Sequence, residues 1–202
     1  MKKNPYKGKF VVFEGLDGAG SSTQAALLKK NIEKRNKKVL LTKEPTNNII
    51  GGLIRGQLTG NWKSNMECLQ LLFAADRAHH LQFEIIPALK KSICVICDRY
   101  FFSTVAFGSL DTDKNWLLEL NKNFILPDFT FFLDVPPSIC IKRIVNSRLN
   151  LELFEEEQKL KKVRQTYLWL SKKFSHVFVL DGEKTENQIG AEVLNLCATR
   201  KS

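Results

Sequence analysis

No window of this 202-residue chain approaches a transmembrane span. The apolar run that begins at Phe10 is cut short by Glu14, so no secretory leader is read near the N-terminus. Cysteine is sparse, and Cys68, Cys94, Cys97, Cys140 and Cys197 form no paired framework. Cys94-Val-Ile-Cys97 has the spacing of a redox or zinc motif, but it falls in a strand pattern. Residues three apart there face opposite sides of a sheet, and no second cluster completes a zinc site. Free thiols are therefore expected, and with them a reducing, cytoplasmic setting. Internal repeats, low-complexity segments and domain linkers are absent, and no aromatic–basic strip marks a nucleic-acid surface. Neither a nucleic acid nor a membrane is expected as partner.

What is present is the composition of one globular domain, 1–202, with 44% hydrophobic and 26% charged residues. Lysine and arginine number 31 against 21 acidic residues, a formal charge of +10. This excess either favours anionic partners such as nucleotides or is spread over polar helix faces.

The most informative stretch is Lys9 to Gln24, KFVVFEGLDGAGSSTQ. Phe10 to Phe13 reads as a buried parallel strand. Glycines follow at once (Gly15, Gly18 and Gly20), and then Ser21-Ser22-Thr23-Gln24 opens a helical pattern. Strand, glycine turn and helix N-terminus make a phosphate cradle, because glycine lets successive N–H groups face the anion while the helix end adds partial positive charge. The spacing from Gly15 to Gly20 and the hydroxyl at Ser22 are those of the P-loop. The lysine of that motif is replaced by Ser21, and Leu16-Asp17-Gly18-Ala19 carries no basic residue.

Helical patterns are read at 23–36, 51–58, 65–90, 103–108, 115–123, 136–146, 155–174 and 186–198, and strands at 38–42, 93–97, 129–135 and 176–180. Pro87 is expected to bend the end of the long pattern 65–90, and 147–154 reads as a loop. Strands alternate with helices, which predicts an α/β fold: a five-stranded parallel sheet with helices on both faces, three layers in all. Strand 93–97 ends in Asp98, where a carboxylate faces the phosphate loop and can hold Mg²⁺ together with Ser22. Arg99 beside it can fork onto a substrate phosphate.

With these residues the chain resembles the thymidylate kinase family of P-loop nucleoside monophosphate kinases. The resemblance rests on FEGLDGAG at 13–20, KEPT at 43–46, LLFAADR at 71–77, DRYFFSTVAFG at 98–108, PDFTFFLDVPP at 127–137 and the segment from Arg148 into Tyr167. It covers nearly the whole chain, and it implies ATP-dependent conversion of dTMP to dTDP with Mg²⁺. ATP would lie on Gly15, Leu16, Asp17, Gly18, Ala19, Gly20, Ser21, Ser22 and Thr23. In the acceptor site Phe73 would stack on thymine, Arg77 would donate to O4, Thr104 would bond near N3 and Pro45 would pack near the C5 methyl. Phe107 would crowd the sugar 2′ position, Asp17 would bind the 3′-hydroxyl near the metal, and Arg55 and Arg99 would hold the acceptor phosphate. A lid near 143–156 and a homodimer packed through sheet-flanking helices are also implied.

Because the P-loop lacks its lysine, catalytic charge is expected from the lid, from Arg148 with Arg143 or Lys142. Two other readings follow from the same residues. One is a kinase for another deoxynucleotide or nucleoside; the other is a nucleotide-binding protein impaired in catalysis by Ser21.

Overall fold

A short apolar run rich in β-branched and aromatic residues suits a strand covered on both faces, and Phe10–Gly15 (β2) is the middle strand of a five-stranded parallel sheet. The computed structural model describes residues 1–145 and 153–199. On one side of β2 lie β4 (Cys94–Asp98) and then β3 (Val39–Lys43). On the other lie β6 (Phe129–Asp134) and β7 (Val177–Asp181), giving the order β3-β4-β2-β6-β7. Phe13 pairs with Asp98, Asp98 with Lys43 and Gly15 with Leu133, so the glycine turn and Asp98 emerge at one edge of the sheet. The chain runs from β2 to β3 and β4 on one side and then crosses to β6 on the other, which opens a crevice at the C-terminal end of β2.

Helices cover both faces. On one, α1 (Ser21–Glu33) packs against α9 (Glu186–Thr199). The crossing is close at Gly190, where a Cβ would fall 2.6 Å from Leu27. On the other, α5 (Phe101–Gly108) packs between α3 (Met66–His80) and α8 (Leu153–Lys173). The remaining helices are α2 (Ile49–Leu58), α4 (Ile86–Lys90), α6 (Lys114–Leu120) and α7 (Pro137–Val145). The core is rich in phenylalanine, with Phe13, Phe129 and Phe178 around Phe131 and the Tyr167 ring stacked on Phe132. No helix among the described residues is long and apolar enough to cross a membrane.

The architecture is that expected from the sequence, with local differences. The pattern 65–90 is helical throughout but not uniform: α3 passes through a π-helical turn, Leu81–Ile85, into α4. Pro87 donates no N–H and its ring presses on the carbonyl four residues back, so the irregularity precedes it. Helices α1 and α5 each begin two residues earlier than their apolar periodicity indicates. A two-stranded parallel pair, β1 (Lys2–Lys3) with β5 (Ile125–Leu126), carries no periodic signal in so few residues. Of the loop read at 147–154, 147–152 lie outside the described residues, and Leu153 and Phe154 instead begin α8.

Candidate functional site

The glycine turn ends at Gly20, which takes φ of 100° as the residue before α1 and contributes no side chain to cap it. Asn48, Asn65 and Asp113 each cap a helix of this protein with a side-chain oxygen. At α1 there is neither such a cap nor an acidic residue in the first turn. The leading N–H groups of α1 are thus left for an anion. Gly18, at φ of 82°, passes so close to α7 that a Cβ would lie 2.8 Å from the Cys140 carbonyl.

Ser21 is buried, and its hydroxyl, one bond beyond Cβ, cannot span what a lysine's four-carbon stem spans. From α7, Arg143 Nη1 donates to the Gly18 and Ala19 carbonyls at 3.2 and 3.5 Å, and Nη2 to the Gly182 carbonyl at 3.3 Å. One basic side chain thus lies against the turn, held on its outer side by backbone. Lys142 is exposed beside it, and Arg148 lies outside the described residues.

The Ser22 hydroxyl donates to Asp98 Oδ2, and Asp98 Oδ1 is buried without a hydrogen-bond partner among the described residues. A buried carboxylate oxygen with no donor is costly unless something fills the position. One carboxylate beside one hydroxyl, lining a cavity of about 800 Å³, suits a hard divalent cation whose other ligands are water and phosphate.

Next to this edge is a second cavity, of about 410 Å³, lined by Asp17, Pro45, Phe73, Arg77, Arg99, Thr104 and Phe107, with Glu44 and Ser103. Seven of the eight acceptor-site residues expected from the sequence meet there. Arg55 is not among them: it sits on α2 and its Nη1 donates to the Thr46 carbonyl.

Arg77 is only 1% exposed. Its Nε donates to Glu44 Oε2 at 2.9 Å, Nη1 to Asn121 Oδ1 and Nη2 to Thr104 Oγ1 at 3.0 Å. Nη2 also lies 2.7 Å from Glu44 Oε2, and Arg77 borders the cavity. Asp76, the neighbour of Arg77 on α3, accepts from the Thr46 N–H at 2.8 Å and the Thr46 hydroxyl at 2.6 Å. The segment 43–46 is thereby clamped by both charges of the AADR sequence. Glu44 and Asp76 stand inside the motifs KEPT and LLFAADR, but the pairing of these residues and of Asn121 had no signal in the sequence, since their partners come from other elements.

Arg99 takes φ of +72°, a conformation that a residue with a Cβ adopts only when its surroundings impose it. Its Nη1 donates to the Gly15 carbonyl at 2.9 Å and to Ser103 Oγ at 3.1 Å, and Nη2 to Asp17 Oδ1 at 2.6 Å. Phe107 lies against the guanidinium, 5.5 Å from ring centroid to Cζ. Behind Arg99 sits Glu14, fully buried, accepting from the backbone N–H groups of Tyr100 and Ser103 and from the hydroxyls of Ser103 and Tyr167. Burial outweighs these donors and pushes its carboxyl up to about 7. The signal in the sequence was the charge that interrupts the apolar run.

A carboxyl raised from about 4.5 to about 7 on folding binds its proton more tightly in the folded protein, so its contribution to stability falls as pH rises through that window. Urea unfolding of the native protein and of Glu14→Gln at pH 5 and 7.5 measures this. The native protein should lose more stability than the variant on going to pH 7.5; parallel losses would place the folded carboxyl near its ordinary value.

Strand, glycine turn and uncapped helix, with Asp98 opposite Ser22, make this a P-loop phosphate-binding protein, and the adjoining arginine-lined cavity gives it room for a second ligand. The profile of the thymidylate kinase family matches residues 13–193. A protein of Thermococcus gammatolerans named "Probable thymidylate kinase" is 39% identical over 198 residues, covering 94% of this chain and 95% of that protein. The "Thymidylate kinase" of Thermosipho melanesiensis is 35% identical over 195 residues, covering 94% and 98%. The chain belongs to the thymidylate kinase family, and it is a nucleoside monophosphate kinase.

Proposed function

We propose that the protein transfers the terminal phosphoryl group of ATP to dTMP, giving dTDP. The observation that carries this reading is the acceptor cavity, where Phe73, Arg77, Thr104 and Arg99 line one space beside the glycine turn. A planar base with an acceptor edge suits an aromatic face and a guanidinium, and the phosphate at its other end suits Arg99. Arg55 joins the acceptor phosphate by turning from the Thr46 carbonyl.

Family membership supports ATP as donor, its phosphates on residues 15–23. Ser22 and Asp98 are the residues that would hold Mg²⁺, which supplies charge neutralisation at the phosphates when bound. The chain itself supplies position. The turn's N–H groups hold the donor, Arg99 orients the acceptor oxygen in line, and Asp17 takes the 3′-hydroxyl. The chemistry needs no covalent intermediate on the protein.

The working unit is one domain, 1–202, with a lid near 143–156, acting in the cytoplasm. Cysteines without disulfides among the described residues are consistent with that compartment. The protein works as a homodimer. Ile49 and Leu53 on α2 and Leu71 on α3 are exposed, and Ile49 is 85% so, apolar side chains that a second copy would cover.

A coupled assay of ADP release tests the activity, with dTMP, dUMP, dCMP and dGMP as acceptors. Turnover should be highest with dTMP, and equal rates across the panel would remove Phe73, Arg77 and Thr104 as base-reading residues. The sugar is tested alongside. Phe107 should disfavour a 2′-hydroxyl, so ribothymidine monophosphate should be a poorer acceptor than dTMP, and Phe107→Ala should narrow the gap. A native rate ratio near one would take Phe107 out of the site.

A further inference from the structure

The residue that interrupts the central strand is the only carboxylate on β2, and the proposed reaction gives it no direct part. We infer that Glu14 is a positioning residue: through Ser103 it fixes the guanidinium of Arg99 that faces the acceptor phosphate, and Tyr167 braces the same carboxylate from α8. The inference rests on the reading of Arg99 as a phosphate ligand.

The two oxygens of Glu14 do different work. Oε1 accepts the N–H groups of Tyr100 at 2.8 Å and of Ser103 at 3.3 Å, which lie at the start of α5. Tyr100 precedes α5 without capping it by its own side chain, so a carboxylate from β2 serves that end. Oε2 accepts from the Ser103 hydroxyl and, at 3.0 Å, from the Tyr167 hydroxyl. With its proton on Oε2, Ser103 turns lone pairs outward, and Arg99 Nη1 donates to that oxygen at 3.1 Å.

Arg99 is tethered at three further points: the Gly15 carbonyl, Asp17 and, through its own N–H at 2.9 Å, the Phe13 carbonyl. Gly15 and Phe13 are fixed backbone, whereas Asp17 is exposed. Among the described residues Ser103 is, beside the exposed Asp17, the side chain that hydrogen-bonds the guanidinium, and its own hydroxyl is turned onto Glu14. The positive φ of Arg99 shows that the surroundings hold this residue against its own preference. Tyr167 adds a second element: its ring is stacked on Phe132, centroids 4.7 Å apart, and its hydroxyl lies 2.9 Å from Ser103 Oγ.

The substitution Glu14→Gln separates the two oxygens. Glutamine keeps a carbonyl oxygen for the two N–H groups that start α5, and it replaces the acceptor facing Ser103 and Tyr167 with an amide donor. Calorimetric titration with dTMP and with thymidine distinguishes positioning of Arg99 from general loosening, because thymidine lacks the phosphate. In Glu14→Gln, dTMP should bind roughly tenfold more weakly, the scale of one charge-assisted hydrogen bond, with thymidine affinity unchanged. Added to Arg99→Ala, Glu14→Gln should cost dTMP nothing more, since two residues acting as a unit are not additive. Tyr167→Phe, which keeps the ring stack, should move dTMP affinity in the same direction by less. Should Glu14→Gln not fold, Ser103→Ala carries the same comparison.

Equal losses for thymidine and dTMP, or a Glu14→Gln loss that persists undiminished in the Arg99→Ala background, would overturn the inference while leaving Arg99 as a phosphate ligand. Should Arg99→Ala leave the preference for dTMP over thymidine intact, the role of Arg99 fails and the inference falls with it.

Discussion

Arg148→Ala should slow phosphoryl transfer by on the order of 10²-fold or more, the usual consequence of losing one oriented charge donor. The expectation follows from what the glycine turn cannot supply. Ser21 is too short to reach the transferring group, and the loop 16–19 has no cation. Arg143 does lie against the turn, but its guanidinium is engaged with the carbonyls of Gly18, Ala19 and Gly182. The N–H groups of α1 and the Ser22–Asp98 pair remain available, so the machinery lacks one mobile charge and little else.

Single-turnover kinetics with saturating ATP and dTMP measure the chemical step for the native protein, Arg148→Ala and Ser21→Lys. If the lid provides the charge, Ser21→Lys should give only a modest gain. If the native protein is inactive and Ser21→Lys alone restores turnover, compensation by the lid is wrong. If native activity survives Arg148→Ala unchanged, the charge comes from another residue, Arg143 or Lys142 being next in sequence.

Arg77→Ala should lower stability by about 3–5 kcal/mol, because it strands a buried charge. Glu44 is buried with Arg77, and Nη2 of Arg77 lies 2.7 Å from its Oε2. The other hydrogen-bonding side chain at that carboxylate among the described residues is His80, with Nδ1 3.2 Å from Oε1. Removing the guanidinium also frees Asn121 Oδ1 and Thr104 Oγ1 in the interior. Denaturant unfolding reads the effect directly, and the double substitution Arg77→Met with Glu44→Gln should recover part of the loss. A destabilisation under about 1 kcal/mol would mean that water reaches Glu44 when Arg77 is gone. The same burial affects how the base-reading role is tested. Loss of dTMP binding in Arg77→Ala would mix recognition with unfolding, so Arg77→Lys is the better probe, since it keeps the charge and loses the planar fork.

Much of the fold was determined by sequence alone. The apolar runs at 10–13 and 93–97 and the largely apolar stretch 129–135 read as strands covered on both faces, and their alternation with helical periodicity leaves a parallel sheet as the economical arrangement. The glycine turn was equally legible, because its chemistry is local: Gly18 and Gly20 adopt left-handed conformations within one short stretch. For the same reason Asn65 could be read as a helix start, and its side chain caps α3. Short or irregular features escaped. Two-residue strands have no period, and a π-turn differs from an α-helix by one hydrogen-bond step.

What only the tertiary structure decided are the contacts between distant elements. Glu14 meets Tyr167 across 153 residues of sequence, Arg77 meets Asn121 across 44, and Ser22 meets Asp98 across 76. A sequence carries the identity of such residues but not the desolvation that makes their pairing obligatory. In isolation Glu14 reads as a charge breaking a strand, and Arg77 as a free guanidinium facing a base. Burial turns the first into a raised carboxyl at the centre of four donors and the second into a clamped fork. Both changes have one cause: a polar group withdrawn from water must find its partners inside, wherever in the chain they lie.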